Sequence, residues 1–347
     1  MISGDPGVLE PQSETGKRTE EYRKALGKLD VLVCRGSIFS FIFGFLGGLK
    51  ILWRNKYDVI TAQDVEHTLL AWVFSKFFKT PFQMQIHADI MSPYFRRESL
   101  KNKIRVALAK FLVPRADCAR VVSERIKNSI LRTSDVRSDV RRPIIVLSIF
   151  VDTEKIKNSP IKTDLHKKYP GRFIILMASR ITKEKNIGLA IEAVKGLITH
   201  PLNPLLLIVG DGPEIENLKF KTYKLGLNEN IVFEPHTDDL ISYYKTCDLF
   251  LLTSNYEGYG RTLVEAAAAS NAVGTAGAKI ISSDVGIAPE ILEPECIFKV
   301  GDKNNLIEKL NSVFLGNIKT PKLLVSQTKE DYLGLYKSSF EVCAHKK

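Results

Sequence analysis

Two glutamates, Glu257 and Glu265, flank the run Gly258-Tyr259-Gly260-Arg261-Thr262-Leu263-Val264, and these residues have the types and spacing to do chemistry. A carboxylate is acceptor-only and takes two hydroxyl hydrogen bonds at once, so Glu265 can hold a ribose diol while Glu257 holds hydroxyls of a sugar. The glycines let the backbone approach a ligand closely, and the first amides of a following helix point at anything anionic. That layout suits a sugar nucleotide. The same spacing also fits a plain surface loop followed by a helix with one exposed glutamate.

The elements that must position this run are a strand, Asp248 to Ser254, and a helix, Arg261 to Ala269. In a parallel α/β sheet their junction lies at the carboxyl end of a strand, where ligands bind. The second half repeats the unit. Strand Arg172 to Ser179 leads through Arg180 and Lys185 to a helix, Asn186 to Leu197, with an apolar face at Ile187, Ala190, Ile191, Val194 and Leu197. Strand Leu205 to Val209 leads through Gly210-Asp211-Gly212-Pro213 to a helix, and strand Ile231 to Glu234 to helix Asp239 to Cys247. Strand Lys279 to Ser283 and helices Asn304 to Phe314 and Lys329 to Cys343 close the chain.

The first half alternates in the same way, with strands at Lys28 to Cys34, Tyr57 to Thr61, Pro81 to His87, Val121 to Ser123 and Pro143 to Phe150. Met1 to Gly4 reads as the tail of a further strand, so the amino terminus looks clipped. A length of 347 residues suits two such domains, each with its own core. The expected division is 1–152, 153–326 and a final helix over 327–347.

Composition is that of a soluble globular protein, 44% hydrophobic and 26% charged, but the formal charge of +11 is not. It points to a polyanionic neighbour: nucleic acid, an anionic membrane surface or phosphorylated substrates. Arg96 to Arg142 supplies much of it, with 14 basic and 5 acidic residues. No nucleic-acid-binding signature accompanies the charge. No strand is followed by G-x-G-x-x-G with an acid about twenty residues on, so a dinucleotide oxidoreductase is disfavoured. The 5 cysteines are scattered and odd in number with no C-x-x-C, which indicates neither a disulfide framework nor a zinc site and fits a reducing cytoplasm. No secretory signal is expected, since no basic stretch followed by an apolar core opens the sequence, and the apolar run Ile38 to Trp53 falls short of the roughly 20 residues that span a bilayer. That run reads either as a buried crossover helix or as a helix lying in a membrane interface.

Four motifs in order, Ser179-Arg180-x4-Lys185-Asn186, Val209-Gly210-Asp211-Gly212-Pro213, Glu257-Gly258-Tyr259-Gly260-x4-Glu265-Ala266 and Val285-Gly286-x2-Pro289-Glu290, resemble the donor domain of glycosyltransferase family 4. Weaker matches extend the resemblance to Ile86-His87-Ala88-Asp89, Val122-Ser123-Glu124 and Val151-Asp152. It implies the α/β fold called GT-B, two Rossmann-like doubly wound domains facing across a cleft, with the C-terminal helix crossing back to the first domain. It also implies a retaining transfer of sugar from a nucleotide donor.

Under this resemblance Arg180 and Lys185 bind the donor phosphates, Glu257 the sugar and Glu265 the ribose. Gly258, Tyr259, Gly260, Arg261 and Thr262 complete the donor loop, and His87 faces the donor sugar. Two cations at the phosphates can stabilise the departing nucleoside diphosphate. The sequence contains no Asp-x-Asp, so neither a metal nor another cofactor is expected. The chain departs from the family at Gly4-Asp5-Pro6-Gly7, where relatives carry a glycine-rich acceptor loop, and in a longer connection around Asn271 to Lys279. Pro235 and His236 stand where relatives hold the base.

The reading is therefore a metal-independent, hexosyl-type glycosyltransferase of cell-envelope polysaccharide or glycolipid synthesis. Its expected partners are a nucleotide sugar, a glycan or lipid-linked acceptor and an anionic membrane surface, with no nucleic acid. The expected location is the cytoplasm, peripheral on the inner face of the membrane. The alternative is a non-catalytic GT-B protein that binds a sugar nucleotide, against which the intact set Arg180, Lys185, Glu257 and Glu265 argues.

Overall fold

The computed structural model describes residues 1–35, 38–133, 142–272, 277–318 and 327–344. The basic positions beyond Thr133 and before Arg142, and the middle of the longer connection after Asn271, lie outside them. The chain divides into two compact units, Met1–Phe150 with Gln327–Lys347, and Val151–Ser326.

In the first unit β1 (Ile2–Ser3), β2 (Leu32–Val33), β3 (Ile60–Gln63), β4 (Phe82–Ile86), β5 (Cys118–Val121) and β6 (Ile144–Val146) form one sheet, ordered β2-β1-β3-β4-β5-β6. Every pairing is parallel. The helices are α1 (Glu14–Leu26), α2 (Ile38–Arg54), α3 (Asp64–Phe78), α4 (Pro93–Glu98), α5 (Leu100–Leu112) and α6 (Glu124–Arg132). Strand order reverses between β1 and β3, which opens a crevice at their carboxyl ends. The predicted strand Lys28 to Cys34 shortens to Leu32–Val33, because β2 lies at the sheet edge and its one partner, β1, is itself 2 residues long.

Helix α2 sits close to the sheet through two glycines. A Cβ at Gly44 would lie 2.2 Å from Cys34 Sγ, and one at Gly48 2.4 Å from Phe74 Cζ. Its outer face is apolar and exposed. Phe39, Phe43 and Trp53 keep 75%, 72% and 84% of their surface in solvent, with Ile42 and Leu46 between them. Among the described residues no helix is long and apolar enough to cross a membrane.

In the second unit β7 (Phe173–Ala178), β8 (Pro204–Val209), β9 (Ile231–Glu234), β10 (Leu249–Leu252), β11 (Lys279–Ser283) and β12 (Ile297–Phe298) form another parallel sheet, ordered β12-β11-β10-β7-β8-β9. Its helices are α7 (Thr153–Asn158), α8 (Leu165–Lys168), α9 (Ile187–Lys195), α10 (Ile215–Lys224), α11 (Leu240–Thr246), α12 (Arg261–Ser270), α13 (Ala288–Ile291) and α14 (Lys303–Phe314). Its central strands are continuous apolar runs, as burial on both faces requires, and every residue of β8 is buried. The chain runs outward from β7 to β9 and then returns beside β7 as β10, so the switch point lies between β7 and β10.

The last helix, α15 (Lys329–Ala344), belongs to the first unit. It covers polar side chains carried inward by β4 and β5. Gln83 donates to Ser339 O at 3.0 Å, and buried Arg120 donates to Gln85 Oε1 at 3.1 Å, Leu147 O at 3.3 Å and Tyr332 OH at 3.1 Å. The Tyr336 ring stacks on Tyr22 at 4.0 Å between centroids. The structure corrects the cysteine reading: Cys118 of β5 and Cys343 of α15 form a disulfide, while Cys34, Cys247 and Cys296 are free and buried. Docking of α15 on β5 supplies the proximity, with Cα atoms 5.4 Å apart. The bridge removes the support that cysteine usage lent to a reducing cytoplasm, where thiols are ordinarily kept reduced.

The bridge closes a loop across 225 positions of sequence, and restricting so long a loop in the unfolded chain is worth up to about 5 kcal/mol. Thermal unfolding with and without a phosphine reductant should give a lower melting temperature in reductant, and Cys343→Ala should unfold at the same lowered temperature in both.

Candidate functional site

Three loops meet at the carboxyl ends of β7, β10 and β11. The first is seated by glycines: a Cβ at Gly210, where φ is 139°, would lie 2.0 Å from Ser179 O, and one at Gly212 would lie 2.2 Å from Ile181 O. Ile181 N donates to Asp211 O at 2.8 Å, so the turn after β8 holds the segment that carries Arg180. The second loop is stitched to the first. Thr253 Oγ1 donates to Lys185 O at 2.9 Å, Asn255 N donates to Glu184 O at 2.7 Å, and Asn186 Nδ2 donates to Asn255 Oδ1 at 3.1 Å. The third enters through Gly286, whose φ of 51° brings it under Tyr259 O, while Ile287 N donates to that carbonyl at 2.8 Å. Ser283 Oγ donates to Ser254 O at 2.7 Å.

This framework places Lys185 Nζ 2.5 Å from Glu257 Oε1, with each side chain only 14% exposed. Ser254 Oγ donates to the same carboxylate oxygen at 2.8 Å. Gly260 takes φ of 90°, a conformation open to glycine, and α12 begins at the next residue. One turn on, Glu265 accepts from Arg261 Nε at 2.7 Å and from Tyr244 OH at 3.4 Å. Burial, and then the Glu265 charge, push the Tyr244 hydroxyl well above its ordinary pKa, so it stays a neutral donor. Arg180 is 81% exposed and meets Glu184 at 3.8 Å, whose Oε1 already accepts from Thr182 at 2.6 Å. Its guanidinium can therefore swing toward an incoming anion.

The second unit thus brings Arg180, Lys185, Glu257, Glu265 and the loop Gly258 to Thr262 to one end of one sheet. Within that loop Tyr259 is buried, Thr262 is half-buried and Arg261 is exposed. His87 stands in the first unit just past β4, partly exposed. Burial, then the charges of Arg120 and Arg18, lower its pKa to about 3, which makes it a neutral imidazole at physiological pH. The sequence reading did not single out Ser254, Thr253 or Tyr244 as supports. Ser254 and Thr253 lie inside the strand and loop already marked, but no local spacing links Tyr244 to Glu265. Among the described residues no cluster of His, Cys, Asp or Glu has a metal-holding arrangement.

Two parallel six-stranded sheets with their helices define the GT-B fold. Its match to the crystal structure of HepE from Anabaena in complex with UDP-glucose has a TM-score of 0.68 at 18% identity, over 99% of this chain and 94% of that one. Residues 160–331, most of the second unit and the start of the last helix, match the family described as glycosyl transferases group 1. The capsular polysaccharide biosynthesis glycosyltransferase CapM of Staphylococcus aureus is 25% identical over 311 residues, covering 87% of this chain and 79% of CapM. An alpha-monoglucosyldiacylglycerol synthase of Streptococcus pneumoniae is 26% identical over 243 residues, covering 66% of this chain and 54% of the synthase.

The Lys185–Glu257 pair predicts a stability signature. Lys185→Ala leaves a largely buried carboxylate without its cation and should cost about 3 kcal/mol, whereas Lys185→Met with Glu257→Gln should recover most of that loss. Urea unfolding of the single and double variants measures the difference, and strict additivity of the two losses would show that the pair does not couple.

Proposed function

We propose that the chain is a retaining, hexosyl-type glycosyltransferase that moves a sugar from a nucleotide-diphosphate sugar to a glycan or lipid-linked acceptor in cell-envelope polysaccharide or glycolipid synthesis. The observation that carries this reading is the contact of Lys185 with Glu257 at the β7–β10 switch point, beside the start of α12. Breaking the donor's glycosidic bond builds negative charge on the departing nucleoside diphosphate. In this reading Lys185, held in place beside Glu257, and Arg180, swinging in from solvent, meet that charge, and the α12 amides add to them. Glu257, already oriented by Ser254, accepts sugar hydroxyls, and Glu265 accepts from the ribose diol. His87, being neutral, serves as a hydrogen-bond partner to the sugar. No divalent metal or resident cofactor enters the scheme. The printed names of the capsular and diacylglycerol-glycolipid relatives support a surface glycan or a glycolipid as product.

The proposal includes peripheral binding at the cytoplasmic face of a membrane. Its support is the exposed apolar face of α2 together with the exposed Arg96, Arg97, Lys101 and Lys103 of α4 and α5. Anionic lipid attracts such residues at about 1 kcal/mol for each one near the surface, and salt screens the attraction.

Donor turnover, followed by release of the nucleoside diphosphate, should be unchanged by EDTA and should fall about 100-fold in Arg180→Ala and in Lys185→Ala. Glu265→Gln should weaken nucleoside diphosphate binding, while Glu257→Gln should lower turnover with little change in that affinity. Loss of turnover with EDTA, restored by manganese or magnesium, contradicts the scheme. Vesicle sedimentation reads the membrane part separately: the protein should pellet with anionic but not neutral vesicles, and less so in high salt or after Arg96, Arg97, Lys101 and Lys103 become glutamine.

A further inference from the structure

Helix α11 is short, and it is buried at four successive positions: Ser242, Tyr243, Tyr244 and Lys245. Each carries a polar group that must find a partner once it leaves water. Three of them fasten the helix. Ser242 Oγ donates to Asp239 Oδ1 at 2.7 Å and accepts from Lys162 N at 2.8 Å. Tyr243 OH donates to Glu234 Oε2 at 2.7 Å, at the end of β9, and Lys245 Nζ donates to Lys157 O at 2.8 Å, in α7. The fourth, Tyr244, is 1% exposed and reaches α12: its ring meets Phe250 of β10 edge-on, with centroids 5.4 Å apart, and its hydroxyl donates to Glu265 Oε2 at 3.4 Å. A helix pinned at three points therefore presents one hydroxyl, in a fixed place, to the carboxylate of Glu265.

A glutamate side chain turns about several torsions, and its carboxylate discriminates between ligands only when it is held in one orientation beforehand. Glu265 has a donor at each oxygen, Arg261 Nε at 2.7 Å on Oε1 and Tyr244 on Oε2. The two donors differ in kind. The Arg261 side chain is 50% exposed at the first position of α12, where water and any incoming diphosphate compete for its guanidinium. Tyr244 is shielded from solvent, and its hydroxyl, kept protonated by burial, carries no charge for an anion to attract. The restraint that persists when a diphosphate arrives is the one from α11.

We propose that Tyr244 is a positioning residue: by fixing the Glu265 carboxylate it makes the nucleotide site select a ribose, with both of its ring hydroxyls, over a 2′-deoxyribose. This rests on the proposed function, which puts the ribose diol on Glu265, and adds to it the residue that holds the carboxylate for that diol. Tyr244 touches no ligand in the scheme. Its loss therefore acts on the preference between the two nucleotide sugars and leaves the binding of the deoxy form alone.

Tyr244→Phe removes one oxygen and keeps the ring against Phe250. Calorimetry on the full chain with UDP, GDP and ADP, and with their 2′-deoxy counterparts, reads the preference without turnover. For the nucleotide that binds most tightly, the parent should favour the ribose form about 30-fold, the scale of a hydrogen bond to a charged group. Tyr244→Phe should bring that ratio down to about threefold while it binds the deoxy form as the parent does and melts at the parent's temperature. In Glu265→Gln the ratio should already be low, and adding Tyr244→Phe should lower it no further, because the tyrosine acts through the glutamate. An unchanged ratio in Tyr244→Phe, or an equal weakening of both forms, overturns the positioning role and leaves Glu265 as the ribose acceptor. A parent that binds both forms alike, or none of the nucleotides, overturns the ribose contact itself and the role of Tyr244 with it.

Discussion

A lysine ammonium and a glutamate carboxylate drawn largely out of water are tolerable only while they stay within hydrogen-bond reach of each other. Lys185 and Glu257 are such a pair, and much of the second unit serves to keep them together. They come from loops far apart in sequence, so β7 and β10 must be neighbours. Thr253, Asn255 and Asn186 tie the two loops by backbone and amide hydrogen bonds. Gly210, Gly212 and Gly286 admit carbonyls to distances that any side chain would block. The glycines of this domain thus act as spacers set to zero, and the seating of the loops that bring Lys185 to Glu257 depends on them.

The α/β character and the GT-B organisation were legible because strand, glycine loop and helix recur with the right periods, and because the motifs around Arg180, Gly210, Glu257 and Gly286 stand in order. Local pattern reached less far where tertiary neighbours decide. The ladder of β2 is 2 residues long because its one partner, β1, is itself 2 residues long. Cys118 and Cys343 show no spacing signal, since their proximity follows from where α15 docks. Tyr244 reaches Glu265 from another helix. Helix α2 lay between two readings on its sequence. Its glycine face meets the sheet while its aromatic face remains in solvent.

The two sheets reach stability by different means. The second has the continuous apolar strands expected of a doubly covered parallel sheet. The first places Gln83, Gln85 and Arg120 in its interior, where each needs a partner or costs a desolvation penalty. Those partners include Ser339, Tyr332 and Tyr336 of α15, so the last helix satisfies the polar interior of a unit that begins more than three hundred residues earlier. A deletion of α15 would leave buried donors unmet as well as apolar surface bare.

The bond between Cys118 and Cys343 also determines how the molecule carries load. Tension applied between the chain ends passes from the amino terminus to Cys118, across the sulfur bridge to Cys343, and out through the last few residues. The whole of Val151–Ser326 lies inside the loop that the bridge closes, and so it bears none of that force. Pulled from its ends, the oxidised chain can extend only by the part outside the bridge, while the second unit stays mechanically silent. Cutting the bridge puts that unit in series with the first and lets it stretch.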